Sequence, residues 1–258
     1  MENPKEYIIS GQNLLQLAAT YETAAFLQGD PSWFMHQVSG ERNVEAMAFL
    51  ASVMSYGART QFLHKIQFFL DCSLGEVDSW VRQGAFLRNI ANTNECFYRL
   101  YTNHDIRNFL SAYSALMSEY GTLGDYICVR SRASAENKIE ALCAIEQIVE
   151  YFKSYDIGTI IPKSTDSACK RLCMFMRWMV RDHSEVDMGQ WNFVDKRSLI
   201  IPLDTHVLQE AQTLGLIESR TASMSAALRL TRKLAEYFPD DPTRGDFALF
   251  GYGVNKSK

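Results

Sequence analysis

Lys170-Arg-Leu-Cys-Met-Phe-Met-Arg-Trp-Met-Val-Arg181 is the stretch on which the reading of this chain turns. Leu172, Phe175, Met176, Met179 and Val180 recur at offsets of three and four, the spacing of one face of an α-helix. Lys170, Met174, Arg177 and Arg181 fall on another face at the same spacing. The stretch therefore predicts a helix over 168–181 with an apolar side for a core and a cationic side. Three cations in one stripe read in two ways, as a solvated face or as a surface turned toward phosphates.

The same periodicity extends outward along the chain. Leu14 to Leu27, Asn43 to Met54, Gln61 to Cys72, Asp105 to Tyr120 and Ala135 to Tyr151 each carry a stripe of helical spacing. Past the central stretch, helices are expected from Asp204, from Met224 to Tyr237 and from Thr243 to Tyr252. Gly29-Asp30-Pro31, Tyr56-Gly57 and the loop from Asp156 to Ser167 punctuate them. The pattern weakens between Val77 and Phe97, and strand alternation is nearly absent. The expected fold class is all-α, formed as a single globular unit without internal repeats.

With 258 residues, 47% of them hydrophobic, the chain is long enough to bury a core without staples. The net charge of -4 supplies no global positive field, so any affinity for nucleic acid has to be local. The six cysteines are scattered and no pair has C-x-x-C spacing, which predicts buried thiols in a reducing cytoplasm rather than a metal or redox centre. No metal and no cofactor is expected. Met1 to Lys5 lack the basic and apolar succession of a leader, and no apolar run is long enough to span a bilayer. The expectation is a cytoplasmic protein with no membrane partner.

The second decisive stretch is Asp204-Thr-His-Val207, directly after the apolar run Leu199-Ile-Ile-Pro-Leu203. An aspartate there is a natural N-cap, accepting hydrogen bonds from the first helical N–H groups. A buried approach on one side and a helix on the other also allow its second oxygen to face a cleft. The two roles are compatible.

Leu203-Asp-Thr-His-Val207 resembles the V-D-T-H-V stretch of the helix-hairpin-helix DNA glycosylases, the endonuclease III superfamily. Lys170 to Val207, taken with Asp246-Phe-Ala-Leu-Phe250, resembles a bacterial family of that superfamily and, more distantly, the archaeal 8-oxoguanine DNA glycosylases. Residue by residue, the resemblance implies a lysine nucleophile at Lys170, a second cation at Arg177, a catalytic aspartate at Asp204 and a base-holding pair at Asp246 and Phe250. It covers the C-terminal third directly and the rest by helical architecture. It also implies two helical lobes with a cleft between them, one from about residues 60–165 and the other from 1–59 plus 166–258. The implied activity is base excision from a flipped nucleotide, an oxidised purine among the candidates, with AP lyase activity through a lysine Schiff base. Arg177 and Arg181 would contact DNA, and Arg59, beside the Gly57 break, would fill the gap left by the flipped base.

The chain departs from that superfamily at three places. The Gly-rich L-P-G-x-G hairpin is replaced by Ile161-Pro-Lys-Ser-Thr-Asp166, without the glycines that let backbone amides approach a phosphate. No cysteine lies beyond Cys173, so no iron–sulfur cluster is expected. Gly57 stands where related enzymes carry a glutamine. Asp246 also reads as a helix-start residue and Phe250 as core. His206 reads as a capping or packing residue, and the loop from Asp182 to Asp187 as a solvated segment. The rival reading is a non-catalytic helical nucleic-acid-binding protein of the same fold. A small-molecule enzyme using the same cleft is a third.

Overall fold

Helix starts in this chain are set by side chains that occupy orphan backbone N–H groups. Thr102 and Asp105 form a reciprocal capping box: the Thr102 hydroxyl accepts from the Asp105 N–H, and the Asp105 carboxylate accepts from the Thr102 N–H at 2.7 Å. Thr122, Asp204 and Ser223 each accept from the N–H three residues on. The computed structural model describes residues 11–256. Met1 to Lys5, expected to carry no leader, lie outside the described residues.

The described residues are all-α apart from one small hairpin. Eleven α-helices succeed one another: α1 (Gly11–Tyr21), α2 (Glu41–Met54), α3 (Arg59–Ser73), α4 (Val77–Arg82), α5 (Asn103–Tyr120), α6 (Leu123–Ser131), α7 (Ala141–Phe152), α8 (Lys170–Val180), α9 (Thr205–Thr213), α10 (Met224–Ala235) and α11 (Arg244–Lys256). Two short antiparallel strands, β1 (Cys96–Tyr98) and β2 (Tyr101–Thr102), pair Cys96 with Thr102 and Tyr98 with Tyr101. No described helix is long and apolar enough to cross a membrane.

The structure departs from the expected boundaries where short elements escape a helical window. The first helix ends at Tyr21, and a separate 3₁₀ turn covers Ala24–Leu27. A helix from Ala135 is not formed: residues 132–140 run irregularly, and α7 starts at Ala141. α6 fills a segment without an expected helix, burying Leu123, Tyr126 and Ile127 at helical offsets around a polar Asp125.

α2 and α8 are the interior axis, packed against each other, with α7 also on α8 and α3 and α4 on α2. α11 packs on α1 and α9. Every residue of α2 from Val44 to Met54 is buried, which explains how weak its amphipathic signal is. The buried side chains form one connected core from Phe34 to Leu249, and Leu14, Ala18, Phe238 and Ala248 form a satellite.

Glu45, on this buried helix, is the polar exception. Its carboxylate accepts from the Leu123 N–H at 2.7 Å, the Gly124 N–H at 3.2 Å and the Trp191 indole N–H at 3.0 Å, closing the N-terminus of α6. A Cβ on Gly124 would lie 2.9 Å from the Trp191 nitrogen and 3.0 Å from the carboxylate, so only glycine admits this approach. Burial pushes the Glu45 carboxyl up to about 7 against the pull of its three N–H donors. A raised carboxyl makes the folded state hold a proton that the unfolded chain releases. Stability should therefore fall as pH rises from about 4.5 to above 7, with this group alone contributing on the order of 3 kcal/mol. Urea unfolding at pH 5.5 and 8 should show that fall in the wild type and a smaller one in Glu45→Gln. An equal fall in both would assign it elsewhere.

Candidate active site

The approach to Asp204 is fixed by burial. Leu199, Ile200, Ile201 and Leu203 are buried, Pro202 offers no N–H to satisfy, and the Ile201 N–H donates to the Thr231 hydroxyl at 3.0 Å. This delivers Asp204 to the start of α9 with its two oxygens in different roles. Oδ1 accepts from the Val207 N–H at 2.8 Å as the helix cap, and Oδ2 receives the Lys170 ammonium at 2.7 Å. Lys170 is the first residue of α8, after Cys169 in the left-handed region at φ 46°. Burial raises the Asp204 carboxyl, but the Lys170 charge and hydrogen bond and the Val207 N–H lower it more, so it lies below the ordinary aspartate range.

The pair sits in a cleft of about 640 Å³. Lys170, Arg177, Asp204, Asp246, Phe250 and Arg59 all line this one cleft, although they come from widely separated parts of the chain. Asp246 lies in the first turn of α11 and is bound by the Arg177 guanidinium. Burial raises the Asp246 carboxyl further than Arg177 and Lys170 lower it. One turn on, Phe250 meets the rings of Tyr21 and Phe26 edge-on at 5.8 and 5.0 Å, so it serves core and cleft wall together. Arg59, at the start of α3, keeps a half-exposed guanidinium 3.8 Å from the Asp30 carboxylate.

Beyond Lys170, the cationic stripe of α8 is not a surface. Arg181 is 2% exposed, binds Glu22, Asp187 and Asp241, and does not line the cleft. Arg177 is 4% exposed and lies 3.4 Å from Asp187 in addition to its bond with Asp246. Neither can meet DNA as an open cation. The expected solvent face looks inward because α8 is buried almost all round from Leu172 to Val180, and helical spacing cannot tell a water-facing cation from one facing buried acids. The Asp182 to Asp187 loop is corrected with it. His183 is exposed, but Asp187 is fully buried between the two arginines, where burial raises its carboxyl against their pull.

Sequence reasoning missed three further cleft residues. Asp30, read as helix punctuation, caps the 3₁₀ turn Pro31–Gln37 with its carboxylate on the Ser32 N–H at 3.0 Å. Tyr56, read as a helix break, is 39% exposed at the cleft edge. Arg171 lies beside the conspicuous stripe rather than in it, and donates to the Val53 carbonyl, the Tyr101 hydroxyl and the Thr159 carbonyl. Only the Asp30 cap had a local signal, its Asp-Pro dipeptide. Among the described residues no group of three His, Cys, Asp or Glu side chains is arranged to hold a metal ion.

A family model described as a protein of unknown function, DUF2400, matches residues 30–255. The chain belongs to this family. The DUF2400 span contains all the cleft-lining candidates from Arg59 to Phe250, while Glu22, which ties Arg181 and Arg244 together, lies outside it. No curated protein and no solved structure matches the chain.

Proposed function

We propose that this chain is a DNA base-excision glycosylase of helix-hairpin-helix type, with a Schiff-base lyase step. The observation that carries the reading is the Lys170–Asp204 pair at 2.7 Å inside a cleft that Asp246 and Phe250 also line. A half-exposed ion pair contributes at most about 1 kcal/mol to folding, so stability gives little reason to place two opposite charges there. A reaction that needs both an amine and a carboxylate does.

The chemistry follows from the two oxygens of Asp204. With Oδ1 tied to α9, Oδ2 is positioned to take a proton from the Lys170 ammonium when a flipped nucleotide displaces water from the pair. The neutral amine attacks the anomeric carbon, and the glycosidic bond breaks with its electron pair leaving on the base, which takes up the proton that Asp204 received from Lys170 and so restores the carboxylate. The carboxylate stabilises the positive charge that develops on the sugar. Opening of the sugar ring moves one of the two protons on the attached nitrogen to the ring oxygen and leaves a protonated imine between Lys170 and the sugar carbon. Loss of the neighbouring carbon-bound proton to the Asp204 carboxylate then expels the 3′ phosphate. Asp246 supplies an acceptor, and Phe250 with Phe26 an apolar wall, for an expelled base the size of a purine. In this reading the cleft lies between the 60–165 lobe and a lobe built from both chain ends.

The test is base release from duplex DNA carrying 8-oxoguanine and other oxidised purines. Wild type should release one of these bases, whereas Asp204→Asn should bind the same DNA and lose turnover by at least about a hundredfold, the scale of losing one electrostatic stabiliser. Unchanged DNA binding by both proteins with no release by either would favour the non-catalytic nucleic-acid binder.

A further inference from the structure

Two arginines near one edge of the cleft flank a single aromatic ring, and a third lies close by in the chain. The Arg99 guanidinium lies over the Tyr56 ring at 5.1 Å from its centre, and the Arg171 guanidinium approaches the same ring at 5.9 Å. Arg59 follows Tyr56 by three residues and lines the same cleft. Tyr56 is held by its backbone, whose carbonyl accepts from the Tyr98 hydroxyl.

Their charges are poorly compensated. Among the described residues neither Arg99 nor Arg171 has a carboxylate within ion-pair distance, and Arg171 is only half-exposed with its donors on two carbonyls and a phenol. Arg59 has only the long Asp30 contact, at 3.8 Å. Arg59 and Arg99 are exposed and open to an arriving anion, while Arg171 is partly buried without a counter-ion, a cost that an anion relieves. The N-terminus of α3, at Arg59, has no side-chain cap, so its positive end adds to the same field.

The backbone is strained where the rim needs it. Arg99, in the turn between β1 and β2, occupies the left-handed region at φ 51°, which favours glycine over a residue with a Cβ. Across from it Gly57 sits at φ 88°, and a Cβ there would come within 2.7 Å of the Arg99 guanidinium. One strained residue and one obligatory glycine hold this guanidinium against Tyr56.

We propose that Arg59, Arg99 and Arg171, arranged around Tyr56, form the rim that grips backbone phosphates of the DNA strand entering the cleft. This inference rests on the glycosylase reading and supplies a phosphate grip that neither the glycine-free hairpin segment nor the buried stripe of α8 can offer. Guanidiniums bind phosphate through paired N–H donors, and the Tyr56 ring gives the adjoining sugar or base a flat apolar contact.

The experiment is a salt titration of binding to a short duplex bearing a tetrahydrofuran abasic analogue. It compares wild type, Arg99→Gln, Arg59→Gln/Arg99→Gln and, as a control outside the cleft, Lys233→Gln. Removing one arginine–phosphate pair should lower the slope of log affinity against log salt by about 0.9, so the double variant should drop by nearly twice that, and the control by nothing. Conserved far-ultraviolet circular dichroism shows that the variants fold. A wild-type slope in the double variant, with base release still dependent on Lys170, overturns the rim and leaves the glycosylase reading standing. Wild type that binds no DNA at any salt overturns both.

Discussion

Lys170→Gln should reduce base release by at least about a thousandfold, equivalent to roughly 4 kcal/mol of transition-state stabilisation, while leaving affinity for an abasic duplex within a few-fold of wild type. Glutamine is one atom shorter but uncharged, polar and close in volume, so the cleft keeps its shape. What it loses is the amine proposed as the nucleophile. Water can still attack the anomeric carbon beside the Asp204 carboxylate, which leaves a residual rate rather than none. Single-turnover kinetics on the best oxidised-purine substrate measures the difference. A fall of less than about tenfold would mean that water is the normal nucleophile and Lys170 a binding residue.

The largest stability effect should come from a residue remote from the chemistry. Asp187 is fully buried, accepts from Arg181 and lies 3.4 Å from Arg177. Asp187→Ala leaves two buried guanidiniums with fewer counter-ions, and removing one partner of such a network costs about 3–5 kcal/mol. Arg181 retains Glu22 and Asp241, and Arg177 retains Asp246, which places the expected loss near the lower end. Urea unfolding of wild type and variant measures it. A loss below about 1 kcal/mol would mean that water reaches the network and screens it. Because Arg177 holds Asp246 in the cleft, the variant should also weaken binding of the target base.

The contrast between these two residues shows what one sequence reveals. The contact between Lys170 and Asp204 was legible because both stand at helix starts, where side-chain position follows directly from the chain, and because a resemblance brought the two residues together. Helix existence was legible wherever a long stripe of period 3.6 met one core face, as in α5 and α10. It failed at α6, whose nine residues are too few for periodicity to accumulate, and at the β1–β2 hairpin, whose strands span only three and two residues. The cationic stripe misled for a different reason. Helical spacing groups side chains on one face but carries no information about what lies opposite, and Glu22, Asp187, Asp241 and Asp246 come from four other places in the chain. Arg99 and Tyr56 were illegible on the same ground, since only the folded chain brings a hairpin turn over the end of α2.

The central claim is that the Lys170 amine forms a covalent bond with DNA, and borohydride trapping measures this directly. Sodium borohydride added to the full chain and a duplex carrying an abasic site should reduce the imine to a stable amine. The adduct should map to the peptide containing Lys170 and be missing in Lys170→Gln. Equal trapping in that variant, or no adduct with either abasic or oxidised-purine DNA, would contradict the account.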